Sequence, residues 1–483
     1  MMPAWMGRKL ADFGALWPAE KRVADEMWDG RVVVIGEDVP SDDAPKEVHL
    51  RASFVRYLAL GGCDRLKPPD GGVAIWGAYI HGDGPEEAIT QGLHLDGARL
   101  CADMYLSHCR FPDRITLAGS SCGKISFTGS VLSKGLNGES ANIKGSVDLS
   151  NTKCSGQVRF GGANIDGQLV CDGTKIDGGV SIVALNLQDA KIRTSFILRN
   201  GANLSLGINL SHAEIGSIVD ELDCWPKGAL INLSQCNYSS FAGSSINAKY
   251  RLDWLNRQIP VRDYGFDPQP YEQCAKVMRS MGYAADALVV LIEKERLQRR
   301  ARRLRLPKLV RPFWWLKDQA LNLSVRYGRR PLLAFAWLML FWGIGWGMFE
   351  FSARHDAVKP NAVYVLRAPE WVRCGYTRGE LRETAVPGAL QSGLAGAGQS
   401  QLNCYLSRDE AQNYPVFTPW VYSADTLLPI VDLEMQSYWI PDESKPFGKY
   451  ARWYLWFQIF AGWALSLLAV AGFSGLIKTD STT

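Results

Sequence analysis

The sequence predicts a mainly β chain in which a β-solenoid capped by helices is followed by a domain of two transmembrane helices. Two observations predict this class. The first is an eleven-residue repeat in which position one is Ala or Thr and position five is Gly. Its four clear copies begin at Ala141, Thr152, Ala163 and Thr174. The second is a pair of apolar stretches without a charged residue, 332–349 and 454–477.

Within each copy, small or apolar residues alternate with polar ones, which is the period of a strand with one face turned inward. A repeat this short cannot bury its apolar face alone, so the copies must stack on one another. Eleven residues correspond to about half a coil, with Gly where the backbone turns or approaches a neighbour closely. The predicted solenoid covers 72–250, with an irregularity near 185–190.

Helices are expected at both ends of the solenoid, because an uncovered terminal coil invites edge-to-edge pairing. Residues 51–60 predict a helix with Phe54 and Leu58 on one face, ended by a Gly-Gly pair. At the far end, an αα-hairpin is predicted over 267–303, beginning at an Asp-Pro pair.

Each apolar stretch is long enough to cross the roughly 30 Å of bilayer hydrocarbon as a helix. The chain is therefore divided into a mixed helical cap (1–71), the β-solenoid (72–250), an αα-hairpin with a basic juxtamembrane linker (251–330), the first transmembrane helix (331–352), an extracytoplasmic loop (353–452), the second transmembrane helix (453–477) and a cytoplasmic tail (478–483).

A basic segment precedes the first apolar stretch, and it predicts contact with anionic lipid, at roughly 1 kcal/mol per basic side chain near the surface. Its main members are Arg299, Arg300, Arg302, Arg303, Arg305, Arg329 and Arg330. By the positive-inside rule this end is cytoplasmic, so both termini are cytoplasmic in a protein that crosses the membrane twice. Nucleic acid is not expected as a partner, because an apolar stretch follows so closely.

The cysteines of the predicted extracytoplasmic loop and those of the predicted solenoid are expected to play different roles. Cys374 and Cys404 are the two cysteines of the predicted extracytoplasmic loop, where an oxidising compartment favours a disulfide. Solenoid cysteines such as Cys154 and Cys171 occupy apolar positions, which is typical of small buried hydrophobic residues. The chain has no Cys-x-x-Cys motif, so neither a zinc knuckle nor a thioredoxin-type site is predicted.

Residues 415–433 are too short to cross a membrane twice and too apolar for an ordinary loop, so they predict a re-entrant or interfacial element. The order of a helix, a loop, a short apolar helix, an acidic turn and a helix is also that of two-helix potassium channels. Asp425, Asp432, Tyr422 and Thr426 are then candidates for an ion path in an oligomer. The Thr-Val-Gly-Tyr-Gly filter of those channels is missing.

The alternative is a loop packed on the helix ends, flanked by Trp420 and Trp439 as interfacial anchors. The acids would then pair locally, with Arg452 or Lys449 as partners. Both interpretations fit the sequence.

Small residues at four-residue spacing predict close helix contacts in both apolar stretches. They are Gly343 with Gly347 and Ala471 with Gly475. Packing of the two helices within one chain and packing between chains of a homo-oligomer both fit this spacing.

No catalytic, cofactor-binding or metal-binding residues are predicted. His94, Cys101, His108 and Cys109 match no standard ligand spacing. The glycines at 343, 345 and 347 lie inside an apolar helix and lack the preceding strand of a dinucleotide-binding loop.

Several motifs together resemble a family of bacterial membrane proteins with pentapeptide-like repeats, whose members are often labelled membrane-associated oxidoreductases. They are RASFVRYLALGG (51–62), GVAIWGAYIHG (72–82), DPQPYEQCAKVMRSMG (267–282), YGRRP (327–331) and YSADTLLPIVDL (422–433). The resemblance implies the bacterial inner membrane as the location, but it supplies no catalytic residues.

Three functions are expected from these patterns. The first is a non-enzymatic inner-membrane protein whose cytoplasmic solenoid binds a protein partner or senses a signal. The second is a homo-oligomeric, ion-channel-like pore gated by the solenoid. The third is the redox activity in the label of the similar family, for which the sequence offers no redox motif.

Overall fold

A computed structural model describes residues 9–27, 30–62, 72–82, 92–228, 230–258, 265–383 and 390–474. The chain divides into two compact units, residues 1–306 and 307–483.

The predicted solenoid is confirmed as a parallel β-solenoid of about six turns. Ile143 lies opposite Ile165 in the sheet register, and the neighbouring pair Asn142 and Asn164 is 22 residues apart. Two eleven-residue repeats therefore make one coil.

The strands form four stacks, of which two join into a 12-stranded sheet and the other two have 7 strands each. The first stack consists of Val33–Val34, Val73–Trp76, Met104–Ser107, Ile125–Ser126, Val147–Asp148 and Leu169–Val170. The second stack consists of His49–Arg51, Tyr79–His81, Arg110–Phe111, Val131–Leu132, Lys153–Cys154, Lys175–Ile176 and Asn203–Leu204, and the third of Leu93–His94, Ile115–Thr116, Leu136–Asn137, Val158–Arg159, Leu185–Asn186, Ile208–Asn209 and Ile231–Asn232. The fourth stack consists of Ser121–Cys122, Asn142–Ile143 and Asn164–Ile165. Lys191–Leu198, Glu214–Asp220 and Asn237–Ala242 are longer strands that join the first and fourth stacks.

The repeat places four side chains per copy in the core. In the third copy these are Ala163, Ile165, Leu169 and Cys171, and all are fully buried. The Gly at position five is required by a close approach, because a Cβ on Gly167 would lie 2.6 Å from the carbonyl group of Gly145 in the adjacent coil.

The fourth copy departs from the predicted pattern after its first half. Val180 and Ile182 are 108% and 85% exposed, whereas the repeat predicts that they point inward. Gly178 and Gly179 both have positive φ and lead the chain out of the coil. Fully buried Leu185 resumes the stack opposite Val158.

The N-terminal end is closed by helices α1 (Pro18–Glu26) and α2 (Ala52–Ala59). Phe54 and Leu58 of α2 are fully buried, as the sequence predicts. Strand pairing begins before residue 72, since His49–Arg51 already pairs with Tyr79–His81.

The far end is closed by α3 (Ala248–Asn256), α4 (Gln269–Ser280) and α5 (Ala284–Leu304), and the predicted αα-hairpin is confirmed. Arg251 of α3 and Asp220 of the last coils are both fully buried and form two hydrogen bonds of 2.9 and 3.0 Å. Trp225 and Ser244 also donate to the Asp220 carboxylate, at 2.7 Å each.

The second unit contains two long apolar helices, α7 (Leu332–Arg354) and α13 (Pro446–Phe473), which are long and apolar enough to cross a membrane. The other helices of this unit are α6 (Arg311–Val325), α8 (Val363–Leu366), α9 (Pro369–Arg373), α10 (Gln401–Leu406), α11 (Pro419–Leu427) and α12 (Met435–Tyr438). Its strands pair as two antiparallel ribbons, Val358–Pro360 with Trp439–Pro441 and Leu381–Glu383 with Leu390–Ser392.

Replacing Ile165 by Asp should destabilise the solenoid by several kcal/mol, because it buries an unpaired carboxylate between coils. Lys144→Asp is the matched control, since Lys144 is exposed on the same stack, and it should change stability by no more than about 0.5 kcal/mol. The thermal unfolding midpoint of the full chain in detergent measures both. Equal losses for the two variants would contradict this assignment of inward and outward positions.

Candidate functional site

A short helix of the connecting subdomain (residues 355–445) lies alongside both long apolar helices. This helix, α11, packs against α7 and α13. The Trp342 indole donates to the carbonyl of Trp420 at 3.0 Å, and the Ser423 hydroxyl donates to the carbonyl of Trp342 at 2.9 Å. The helix therefore begins beside the middle of α7 and not beyond its end.

The C-terminal end of α11 reaches far along α13. A Cβ on Gly462 would lie 1.9 Å from the carbonyl oxygen of Leu427, so the two backbones are in direct contact. At about 1.5 Å per residue, Gly462 lies roughly 24 Å along α13 from Pro446. Leu427 is buried in a cluster with Leu338 and Leu465. Entry and exit of this segment lie together, because the Trp439 indole donates to the carbonyl of Pro415 at 2.9 Å.

A buried polar cluster joins α11 to both apolar helices. The Gln458 amide nitrogen donates to the Ser423 hydroxyl at 2.8 Å and to the Ser423 carbonyl at 3.1 Å. Thr426 donates to the Gln458 amide oxygen at 3.2 Å. Gly345 makes room for this cluster, since a Cβ there would lie 2.3 Å from the Ser423 oxygen. Every polar group of the cluster has a partner, so its role is to fix α11 in place.

Asp425 holds the loop that follows α11. It is 4% exposed, and its carboxylate accepts from the backbone amides of Leu433 at 2.7 Å and Gln436 at 2.8 Å. The Gln436 side chain donates back to the carbonyl of Asp425 at 2.8 Å. Two amides thus satisfy a buried carboxylate without a basic partner.

The expected local ion pairs of the acids are wrong. Arg452 contacts Glu443 at 3.3 Å, while Asp425 is occupied by backbone amides. Asp432 is exposed and accepts from the amide of Glu434 at 2.8 Å. Trp439 is also not an interfacial anchor, because it is fully buried in the connecting subdomain.

The loop 428–433 carries backbone groups without hydrogen bonds. In the described part of the chain, no hydrogen bond involves the amides of Ile430 and Asp432 or the carbonyls of residues 429–432. Pro429 and Ile430 form a turn. Ile430 is 85% exposed. An irregular, unpaired and exposed backbone therefore follows directly on a helix end that is enclosed by apolar helices.

The four candidates for an ion path occupy different environments. Tyr422 is fully buried and packs edge-on against Phe349 at 4.8 Å between ring centroids. Asp425 and Thr426 are buried in the contacts described above. Only Asp432 presents its side chain at the surface of the loop.

The glycines predicted for helix packing are not at the contact between α7 and α13. Gly343 and Gly347 are exposed, and a Cβ on either would meet no atom within 4 Å. The close approaches occur instead at Gly345 and Gly462, and at Gly472, where a Cβ would lie 3.0 Å from Pro331. Ala471 is half-buried beside Gly472, and Gly475 lies outside the described residues. Spacing alone did not identify Gly345, because its contacts are with polar side chains from two other segments.

The segment that connects α7 and α13 contains the expected disulfide. Cys374 and Cys404 are bonded, with their Cα atoms 5.6 Å apart. The eight described free cysteines all belong to the first unit, and seven of them are buried. Burial raises the pKa of Cys154 to about 11 and the pKa of Cys109 to about 12, so these thiols are protonated and unreactive near neutral pH.

The basic residues predicted to face lipid are mixed in exposure. Arg300, Arg302, Arg305 and Arg330 are exposed, whereas Arg299, Arg303 and Arg329 are partly buried. The linker after them contains a helix that the sequence did not predict, α6, whose Phe313 and Leu316 are exposed beside Arg311 and Lys317. The Trp337 indole ties α6 to α7 by donating to the carbonyl of Leu323 at 3.1 Å.

A groove of about 660 Å³ lies between the solenoid and α4. Its polar lining includes Lys191, Arg193, Glu214, Gln273 and Lys276. Lys191 and Glu214 approach each other to 3.3 Å across adjacent coils. The groove is a concave surface of the solenoid unit that is lined by side chains of both charges.

No family model, curated protein or solved structure matches this chain. Within the described residues, no cluster of three His, Cys, Asp or Glu side chains is arranged to hold a metal ion. Function must therefore be argued from the geometry of this chain.

Gly345→Val should destabilise the second unit by about 1–3 kcal/mol, because the new side chain overlaps Ser423 and Gln458. Gly343→Val, on the open side of the same helix, is the matched control and should be tolerated. The measurement is the folded yield and thermal midpoint in detergent. Similar losses for both variants would show that the glycines act through helix flexibility and not through this contact.

The Cys374–Cys404 bond should survive isolation of membranes under non-reducing conditions. Alkylation without reductant followed by intact-mass analysis should leave both thiols unlabelled, and labelling should follow only after reduction. Closing this loop should stabilise the folded unit by roughly 3–4 kcal/mol. Two alkylated thiols in freshly isolated membranes would refute the bond.

Proposed function

We propose that this chain is a two-span integral protein of a bacterial inner membrane, with a cytoplasmic solenoid that acts as a non-enzymatic binding or sensing scaffold. The observation that carries the proposal is the apolar outer surface of the long helices. In the most apolar 18-residue stretch of Leu332–Arg354, only 17% is buried, and in the corresponding stretch of Pro446–Phe473, 39% is buried. A core helix of a soluble protein would be mostly buried, whereas Phe460 and Leu467 are exposed here and need an apolar cover.

The orientation rests on charge. Arg329 and Arg330 directly precede α7, which favours the cytoplasm for this end. The exposed apolar and basic side chains of α6 are typical of a helix that lies in the membrane interface. A disulfide in the segment between the spans agrees with an oxidising compartment on the other side.

The solenoid favours binding over catalysis. Its core is apolar and its outer side chains are polar and charged, with a groove between the coils and α4 that offers both signs of charge to a protein partner. Its buried thiols have raised pKa values, so thiol redox chemistry of the kind implied by the similar family is not favoured.

A second candidate, a homo-oligomeric ion-conducting pore, is favoured by one observation. The inserted helix α11 lies beside helices that would cross the membrane, and the loop that follows it, 428–433, has several unpaired backbone groups. Irregular backbone at membrane depth is tolerated only where protein covers it or where it lines a water-filled cavity. Several copies around an axis would supply such a cavity, and the solenoids would gate it.

Reporter fusions test the membrane topology. Fusions after residue 300 and after residue 483 should report the cytoplasm, and a fusion near Gly396 should report the opposite side. The full chain should also resist alkaline extraction from membranes. A periplasmic signal for the solenoid would overturn the orientation, and release by alkaline carbonate would overturn the membrane spans.

Asp432→Asn should lower cation conductance in planar bilayers severalfold while assembly is preserved, because Asp432 is exposed and contacts only a nearby amide. Asp425→Asn should instead reduce folded yield, since Asp425 is buried and holds two amides. Wild-type protein that reconstitutes without any conductance would refute the pore and leave the scaffold proposal intact.

A further inference from the structure

We infer that the main chain of residues 428–432 forms a hydrated, cation-attracting site at membrane depth, with Asp432 as its carboxylate and Asp425 as a positioning residue. The inference deepens the pore candidate and rests on it. It assigns the site chiefly to backbone carbonyls and reserves no direct role for Tyr422, Thr426 or Asp425.

The first step is depth. The carbonyl of Leu427 contacts Gly462, roughly 24 Å along α13 from Pro446 at about 1.5 Å per residue. The loop begins at the next residue. It therefore starts well inside the apolar layer that the two helices would span.

The second step is hydration. The amides of Ile430 and Asp432 and the carbonyls of 429–432 have no partner among the described residues. Each such group is costly in hydrocarbon and needs water or another polar group. The apolar side chains of this loop cannot satisfy these backbone groups, because they form no hydrogen bonds. Water in a cavity between copies of the chain is the simplest source of these hydrogen bonds.

The third step is the sign of the charge. Consecutive free carbonyls present negative partial charge, and the C-terminal end of α11 adds the negative end of its dipole. The exposed carboxylate of Asp432 adds a full charge. Asp425 lies behind the loop and accepts from Leu433 and Gln436, so it fixes the loop geometry. Arg452, one of the two basic partners considered for these acids, contacts Glu443 at 3.3 Å. Together these groups attract a hydrated cation.

The experiment places a thiol in the loop of the full chain, in intact spheroplasts, as Ile430→Cys. Two membrane-impermeant methanethiosulfonates of opposite charge are added from outside, one a quaternary ammonium and the other a sulfonate. Ile430→Cys should be modified, and the cationic reagent should react severalfold faster than the anionic one. Leu467→Cys, exposed on the apolar surface of α13, is the matched control and should react with neither. Wild-type chain gives the background.

A second variant isolates the charge. In the Ile430→Cys background, Asp432→Asn should reduce the preference for the cationic reagent without abolishing modification. A purely structural role of Asp432 would leave this ratio unchanged and would overturn its assignment. If Ile430→Cys is as unreactive as Leu467→Cys, the loop is not hydrated and the inference fails. Equal rates for both reagents would refute the cation preference.

Failure of the pore and failure of this site are distinguishable. Charge-selective labelling without bilayer conductance would refute the pore and keep the hydrated site. Conductance without labelling of Ile430→Cys would refute the site and place the ion path elsewhere.

Discussion

Main-chain hydrogen bonding between successive coils is the constraint on which this structure depends. Each coil places its amides and carbonyls opposite those of the adjacent coil, which is 22 residues away in the regular repeats, as for Asn142 and Asn164. Parallel pairing satisfies these backbone groups. The repeat serves this pairing. Its four inward residues fill the core, and its glycine allows coil backbones to approach, as at Gly167 beside Gly145. Where the chain departs from the repeat, at Gly178, two apolar side chains are lost to solvent and the stack resumes afterwards.

The same constraint explains the ends. A terminal coil has one unpaired edge, and both edges are covered by helices that are fastened by an arginine–carboxylate pair. The pair at the far end is fully buried, and at the first end only the carboxylate is. At the first end Arg51 contacts Glu20 at 2.6 Å, and at the other Arg251 contacts Asp220. Removing one member would leave a buried charge without compensation, which typically costs 3–5 kcal/mol. Such pairs fix the position of a cap more strictly than apolar packing alone would.

The sequence predicted the solenoid, its half-coil period, the caps and the two long helices, because each follows from a local pattern of residues. It did not predict α6, which lies where charge and aromatic residues obscure an amphipathic pattern. It also placed helix contacts at Gly343 and Gly347, while the contact is at Gly345. Gly345 contacts Ser423 and Gln458, which come from segments distant in the chain. A contact between distant segments cannot be predicted from the local spacing of residues. The partner of Asp425 was missed for a related reason, since backbone amides leave no trace in side-chain composition.

The loop after α11 is where the rule of a satisfied main chain is broken. Next to the long helices, the side chains of Gln458, Ser423 and Thr426 satisfy one another's hydrogen bonds. The protein uses these contacts, together with Asp425, to hold a segment whose own backbone stays unpaired. Pro429 and Ile430 form one turn within the loop, and each of the remaining unpaired groups near apolar surface is costly. Rigid support around an unsatisfied backbone is the arrangement expected where water or an ion completes the hydrogen bonding.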